Sequence, residues 1–249
     1  MKLRFAGQVP KDMVFPETNE DVFELAKDNK KFAISDGASE SFDSKTWAKL
    51  LTSSFVSCSE LSESWLVHAI ADYSSHFELS TLSWSKQAAY ARGSFATLLG
   101  IEHNVNGTID ILGVGDSIAV LVDNGVLVDS FPYKLADEFQ KHPELFCTKP
   151  IHNDFFTSPD FFPLHHKIWS IDGIKAPIIL CMTDALAEWS LRNSEEGNPV
   201  WQSLASIKNV SDFEAFVLRE RKNGKMHVDD TTLVVLSFQA SDTDELPNT

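Results

Sequence analysis

Cysteine is scarce in this sequence, at three in 249 residues. Cys58, Cys147 and Cys181 lie far apart, are odd in number and form no Cys-x-x-Cys pair. That disfavours both a disulfide framework and a zinc knuckle. Cys181 sits inside the apolar run APIILCM and reads as a small buried hydrophobe. Long hydrophobic runs are missing too. None approaches the roughly 18 residues that span a bilayer, and the opening MKLRFAGQVPKDM holds no apolar stretch of signal-peptide length. The expectation is a cytoplasmic chain with no membrane partner. Positive charge is also in short supply, with 21 Lys plus Arg against 36 Asp plus Glu and a formal charge of −15. Such a surface repels phosphate backbones, so nucleic acid is not an expected partner. The same acidity suits a collector of divalent cations, although many soluble proteins are acidic for solubility alone.

What is present is core material: 43% of the residues are hydrophobic and 11% aromatic. That rules out disorder throughout and, at this length, points to one domain. The domain is placed at 1–238, with the polar, acidic stretch 239–249 as a frayed tail. KLRFAGQV reads as an edge strand, followed by DVFELA and KFAIS around a DNK turn. Trp47, Leu50, Leu51 and Phe55 share one face of a helix over 44–56, with Asp43 or Ser44 to cap it. Trp65, Leu66, Ala69, Ile70, Tyr73 and Phe77 do the same over 62–77, and a short helix ends before Gly93. Then come the strands SFATLLGIEH, TIDILGVG, IAVLVDN and VLVDSF, with turns too short for parallel crossovers. Residues 132–166 lose periodicity and read as an irregular flap. Its Phe-rich part, PIHNDFFTSPDFFPL, suits a substrate-contact flap and a satellite core equally well. Two strands, HKIWSID and APIILCMT, then helices near 185–193, 199–207 and 212–221, and a last strand, TTLVVLSF, complete the chain. The expected class is α/β, with largely antiparallel sheets and helices packed outside.

Carboxylates recur where apolar strands end. KFAIS runs into Asp36-Gly37, ILGVG into Asp116, and APIILCMT into Asp184, while Asp229-Asp230 precedes TTLVVLSF and Glu20-Asp21 opens the second strand. Each has a bland reading alone: turn chemistry at Asp36 and Asp116, a helix N-cap at Asp184, a solvated strand start at Asp229-Asp230. Together, acids at neighbouring strand ends can converge on one rim, where they repel unless a cation sits among them. Oxygen ligands without His or Cys select Mg, Mn or Ca.

The ordered set Asn19-Glu20-Asp21, FAISDG (32–37), GSFATLL (93–99), GVGDS (113–117), CMTDAL (181–186) and DDTTLVVL (229–236) resembles the metal-dependent protein phosphatase family of the 2C type, from about Asn19 to Phe238. The resemblance implies two antiparallel sheets stacked face to face with helices on both outer sides. It implies two Mn2+ or Mg2+ ions, with a looser third in some members. Asp36 would bridge both ions beside the Gly37 carbonyl, Glu20 and Asp21 would assist the first ion, and Asp184 and Asp230 would hold the second. Asp116 would join Asp184 at the third. It further implies in-line attack on phosphoserine or phosphothreonine in a protein by water that the ions activate, with no phosphoenzyme. A Ser/Thr kinase system would be the counterpart.

The sequence departs from the pattern in three places. No Arg precedes the Asn-Glu-Asp motif, and spacing does not choose between Lys11 and Arg4 as a substitute phosphate-gripping cation. After Asp36-Gly37 stands Ala38-Ser39-Glu40, with neither the family's glycines nor its His. The later motif reads Thr183-Asp184-Ala185, ending in alanine in place of glycine. Two alternatives stay open: a non-catalytic binding module on the same fold, and a phosphatase of small phosphoesters. Among the histidines, His227 has the best claim to a role, being near Asp230.

Overall fold

Most of the strand candidates carry apolar residues at consecutive positions, so both of their faces need cover. The computed structural model, which describes residues 1–58 and 60–238, supplies it with layers ordered helix, sheet, sheet, helix. The strands are β1 (Lys2–Val9), β2 (Val22–Leu25), β3 (Lys31–Ser35), β4 (Phe95–Ala96), β5 (Leu98–His103), β6 (Thr108–Val114), β7 (Ile118–Asp123), β8 (Val126–Phe131), β9 (Phe146–Cys147), β10 (His166–Ser170), β11 (Pro177–Met182) and β12 (Thr231–Ser237). The helices are α1 (Ser44–Ser57), α2 (Glu63–Ser75), α3 (Trp84–Arg92), α4 (Phe161–His165), α5 (Asp184–Glu195), α6 (Val200–Ala205) and α7 (Val210–Lys222). One five-stranded sheet has the order β1-β12-β11-β7-β8 and the other β10-β6-β5-β3-β2. Every pairing within them is antiparallel.

Alternate residues of each strand serve different cores. Phe32, Ile34, Leu99 and Ile111 face Leu121, Ile179, Val234 and Leu236 between the sheets. Their chain neighbours Ala33, Leu98 and Leu112 point outward beneath Trp47, Leu51 and Phe55 of α1 and Trp65 and Tyr73 of α2. On the far side Val120, Leu180 and Leu233 lie under Trp189, Trp201 and Phe213 of α5, α6 and α7. Each such side chain is worth about 1.5–3 kcal/mol on burial, so neither sheet would be stable without its helices.

Three local results refine the expected elements. SFATLLGIEH is two strands, because Thr97 leaves the ladder to exchange bonds with Asp36: Thr97 N–H donates to the Asp36 carbonyl at 2.9 Å, and Thr97 Oγ1 accepts from Asp36 N–H at 2.8 Å. Residues 132–166 are irregular, as expected, but not loose. Phe146, Phe156 and Phe161 are buried and pack with Trp65, so this part of the segment is core. Its outer residues, among them Leu135, Ile151, Phe162 and Leu164, are exposed. The tail expected over 239–249 lies outside the described residues. No helix among the described residues is long and apolar enough to cross a membrane.

Antiparallel pairing alternates strand starts and ends along each sheet edge. Val22 pairs with Ser35 and Leu98 with Val114, so the start of β2, the end of β3, the start of β5 and the end of β6 share one rim. Val9 pairs with Thr231 and Met182 with both Leu233 and Ile118, which gathers the end of β1, the start of β12, the end of β11 and the start of β7.

Candidate functional site

That rim carries all the acids expected from the strand ends. Asp36 follows β3, and Gly37 is required beside it, since a Cβ there would lie 2.8 Å from Ser44 Cβ and 2.9 Å from the Ser44 backbone at the start of α1. Close approach of that helix, more than turn chemistry, accounts for the Asp-Gly pair. Asp116 sits in the β6–β7 turn behind Gly115, whose φ of 103° and contact with Thr97 exclude a side chain. Thr97 Oγ1 also pairs with Ser117 Oγ at 3.0 Å, linking the two turns. Asp184 opens α5, where the positive end of the helix dipole favours a carboxylate. Thr183, not Asp184, occupies the N-cap position, and Asp184 Oδ1 accepts from Ala185 N–H at 2.6 Å.

Asp21 fastens one sheet to the other. Its Oδ2 accepts from Thr183 Oγ1 at 3.0 Å and from Thr232 Oγ1 at 2.6 Å, while its buried Oδ1 has no partner. Burial, followed by the charge of Asp230, pushes the Asp21 carboxyl up to about 7 against the pull of the two hydroxyls. Asp36 lies well above the usual carboxylate range, first through burial and then through Asp21, Asp184 and Asp116. Burial and then Asp116 and Asp229 push Asp184 up to about 8. Burial raises Asp116 too. Hydrogen bonds tie their neighbourhoods: Asp21 accepts from Thr183, next to Asp184, and Asp36 N–H donates to Thr97 Oγ1, which pairs with Ser117 next to Asp116, so the structure brings Asp21, Asp36, Asp116 and Asp184 to one rim.

Glu20 and Asp230 are differently placed. Glu20 Oε2 accepts from Lys11 Nζ at 2.7 Å and Oε1 from Ser44 Oγ at 2.5 Å. Burial alone would raise this carboxyl, but the bonds from Lys11, Ser44 and Ser39 outweigh it and hold it low. Asp230 is buried with both oxygens taken by main chain: Lys11 N–H at 2.7 Å on Oδ1 and Glu20 N–H at 2.8 Å on Oδ2. Asp230 therefore clips two loops together. Its neighbour Asp229, with a side chain 42% exposed, faces the other acids and raises Asp36, Asp116, Asp184 and Asp21.

Lys11 and Arg4 are now told apart. Lys11 Nζ reaches Glu20, Ser39, Asp229 and Asp230, the latter two at 3.8 Å. Arg4 lines a cleft of about 850 Å³ with His103, Lys175 and Phe238, on the opposite edge of the sandwich. His227 is exposed, and His165 is engaged by the Gly113 carbonyl and Glu144. Arg221 of α7 went unnoticed in the sequence. Its guanidinium donates to the carbonyls of Pro10, Val9 and Asp229 and to Thr231 Oγ1, tying the loop after β1 to the turn before β12. Thr97, Thr183 and Thr232 were missed too, since threonine in a strand is ordinarily read as a β-former.

Among the described residues, no three His, Cys, Asp or Glu side chains are drawn together tightly enough to hold an ion as they stand. The chemistry of one side of the rim nevertheless fits a hard cation. Asp21 Oδ1 is buried and unpartnered, and Asp36, Asp116 and Asp184 are oxygen donors whose mutual repulsion a cation relieves.

No family model matches the sequence, and neither does any curated protein. Solved structures do match. The serine/threonine phosphatase Stp1 from Staphylococcus aureus superposes with a TM-score of 0.53 at 16% identity, over 96% of this chain and 96% of that one. The Mycobacterium tuberculosis serine/threonine phosphatase PstP/Ppp gives 0.53 at 14% identity, over 96% and 100%. The photosystem II phosphatase PBCP gives the same TM-score and identity over the same shares. The double antiparallel sandwich with its helical outer layers is the protein phosphatase 2C-like fold that the sequence motifs resemble.

Proposed function

We propose that the chain hydrolyses phosphoserine and phosphothreonine in proteins with Mn2+ or Mg2+ as cofactor. The observation that carries this reading is the gathering of Asp21, Asp36, Asp116 and Asp184 on one rim by the strand pairing and by the bonds of Thr97, Ser117 and Thr183. Asp36, with the Gly37 carbonyl, Asp184 and Asp116 would hold a cation. When bound there, it lowers the pKa of a water and offsets charge on phosphoryl oxygens. The chain's own residues do the rest. Thr97 fixes the Asp36 backbone, and the start of α5 orients Asp184. Asp21, steadied by Thr183 and Thr232, keeps a buried Oδ1 that no protein donor satisfies, behind the carboxylates that would hold the cation. A phosphorylated side chain of a protein would be the substrate, and a kinase acting on the same residues would be its counterpart.

Hydrolysis of p-nitrophenyl phosphate with Mn2+ tests the reading. Activity lost to a chelator, and reduced at least about a hundredfold by Asp36→Asn, is the expected outcome. Absence of turnover in the wild type with Mn2+ bound would leave a binding module in its place. A panel of phosphothreonine peptides and small phosphoesters then decides the substrate class.

A further inference from the structure

We infer that Lys11 serves the Glu20–Asp229–Asp230 side of the rim as a tethered ammonium, so that the rim takes one divalent cation, beside Asp36 and Asp184, in place of two. The inference rests on the functional reading above and narrows it.

The two sides of the rim differ in what their oxygens already do. On the Lys11 side, Ser44 and Lys11 take both Glu20 oxygens, and the Lys11 and Glu20 amides take both Asp230 oxygens. Asp229 Oδ1 accepts from Asp230 N–H at 2.8 Å. One oxygen of a half-exposed Asp229 is all that remains free, too little for an ion that seeks six or more oxygen ligands. Lys11 is held there twice, by its side chain on Glu20 and by its own amide on Asp230. The loop that carries it is pinned in turn by Arg221 through the Val9 and Pro10 carbonyls. Opposite, Asp21 Oδ1 is buried and unpartnered, and Asp21 is the charge that acts most on Asp36. The chain thus supplies its own cation to one side and leaves the other to a solution ion. A second dication beside the ammonium would meet like-charge repulsion as well as occupied ligands.

The test is a Mn2+ titration of the full chain, read from the loss of the free-ion paramagnetic resonance signal. The wild type is expected to hold one ion tightly, Lys11→Met two, and Lys11→Arg, which keeps the charge, one. Two tightly held ions in the wild type, or one in both wild type and Lys11→Met, overturns the tethered-ammonium assignment and leaves the metal-dependent reading standing. No ion in any of the three overturns both. Should Lys11→Met fail to fold, Lys11→Gln, which also removes the charge, is counted in its place with the same expected result.

Discussion

Asp21 has one carboxyl oxygen shared by two threonine hydroxyls and another with nothing to accept from. A buried group in that position responds to pH, and the direction follows from its neighbours. The carboxyls of Asp21, Asp184 and Asp36 are all raised, the first two to about 7 and about 8, whereas in the unfolded chain they titrate near 4. Between those limits the folded state keeps protons that the unfolded state has released. The cluster's contribution to stability is therefore present in full below pH ~4 and is lost as pH rises through about 8. In chelator, the melting temperature should fall between about pH 5 and pH 8, and Mn2+ should flatten the slope. A melting temperature that rises over that interval in chelator would contradict this description of the rim. Asp36→Asn should raise metal-free stability at pH 8 while abolishing turnover, because it removes a repelled charge together with a proposed ligand. Thr232→Val deprives Asp21 of its shorter hydroxyl bond and should cost about 1–3 kcal/mol by urea denaturation.

At the scale of elements, α7 ties the loops beside the rim, whereas the segment after β8 packs into the outer core. Arg221 of α7 is a half-buried guanidinium holding four acceptors in two loops, and methionine cannot replace those bonds. Arg221→Met should destabilise by about 1–3 kcal/mol in urea denaturation, and a loss under about 0.5 kcal/mol would show the clamp to be idle. Phe161 of α4 sits 2% exposed against Phe156 and His165. Phe161→Ala should cost about 3–5 kcal/mol and leave kcat unchanged under native conditions; the reverse pattern would make the segment a substrate flap. The long strands and helices were legible because β3, β5, β6, β7, β11 and β12 carry apolar residues toward two cores and are bounded by turn residues, while α1 and α2 show one apolar face. The break at Thr97 was not, because it depends on Asp36, some sixty positions away in the chain. For the Phe-rich part holding Phe156 and Phe161, core and flap could not be told apart in the sequence, because short turns place these rings and leave no period to read. The strand-end acids were legible as a set, but Asp229 and Asp230 were not separable until the Lys11 and Glu20 amides appeared on Asp230.

For the molecule as a whole, ten strands in two antiparallel sheets put five chain segments' worth of acid on one edge, and a formal charge of −15 adds no general relief. Cations must therefore come from particular places: Lys11 and Arg221 from within, and in the proposed function Mn2+ or Mg2+ from solution. The most direct measurement of that claim is anomalous diffraction from a crystal of the full chain soaked in Mn2+. A manganese peak coordinated by Asp36 and Asp184, with none between Glu20 and Asp230, is the predicted result. A soaked crystal whose rim carries no manganese beside Asp36 would contradict the account.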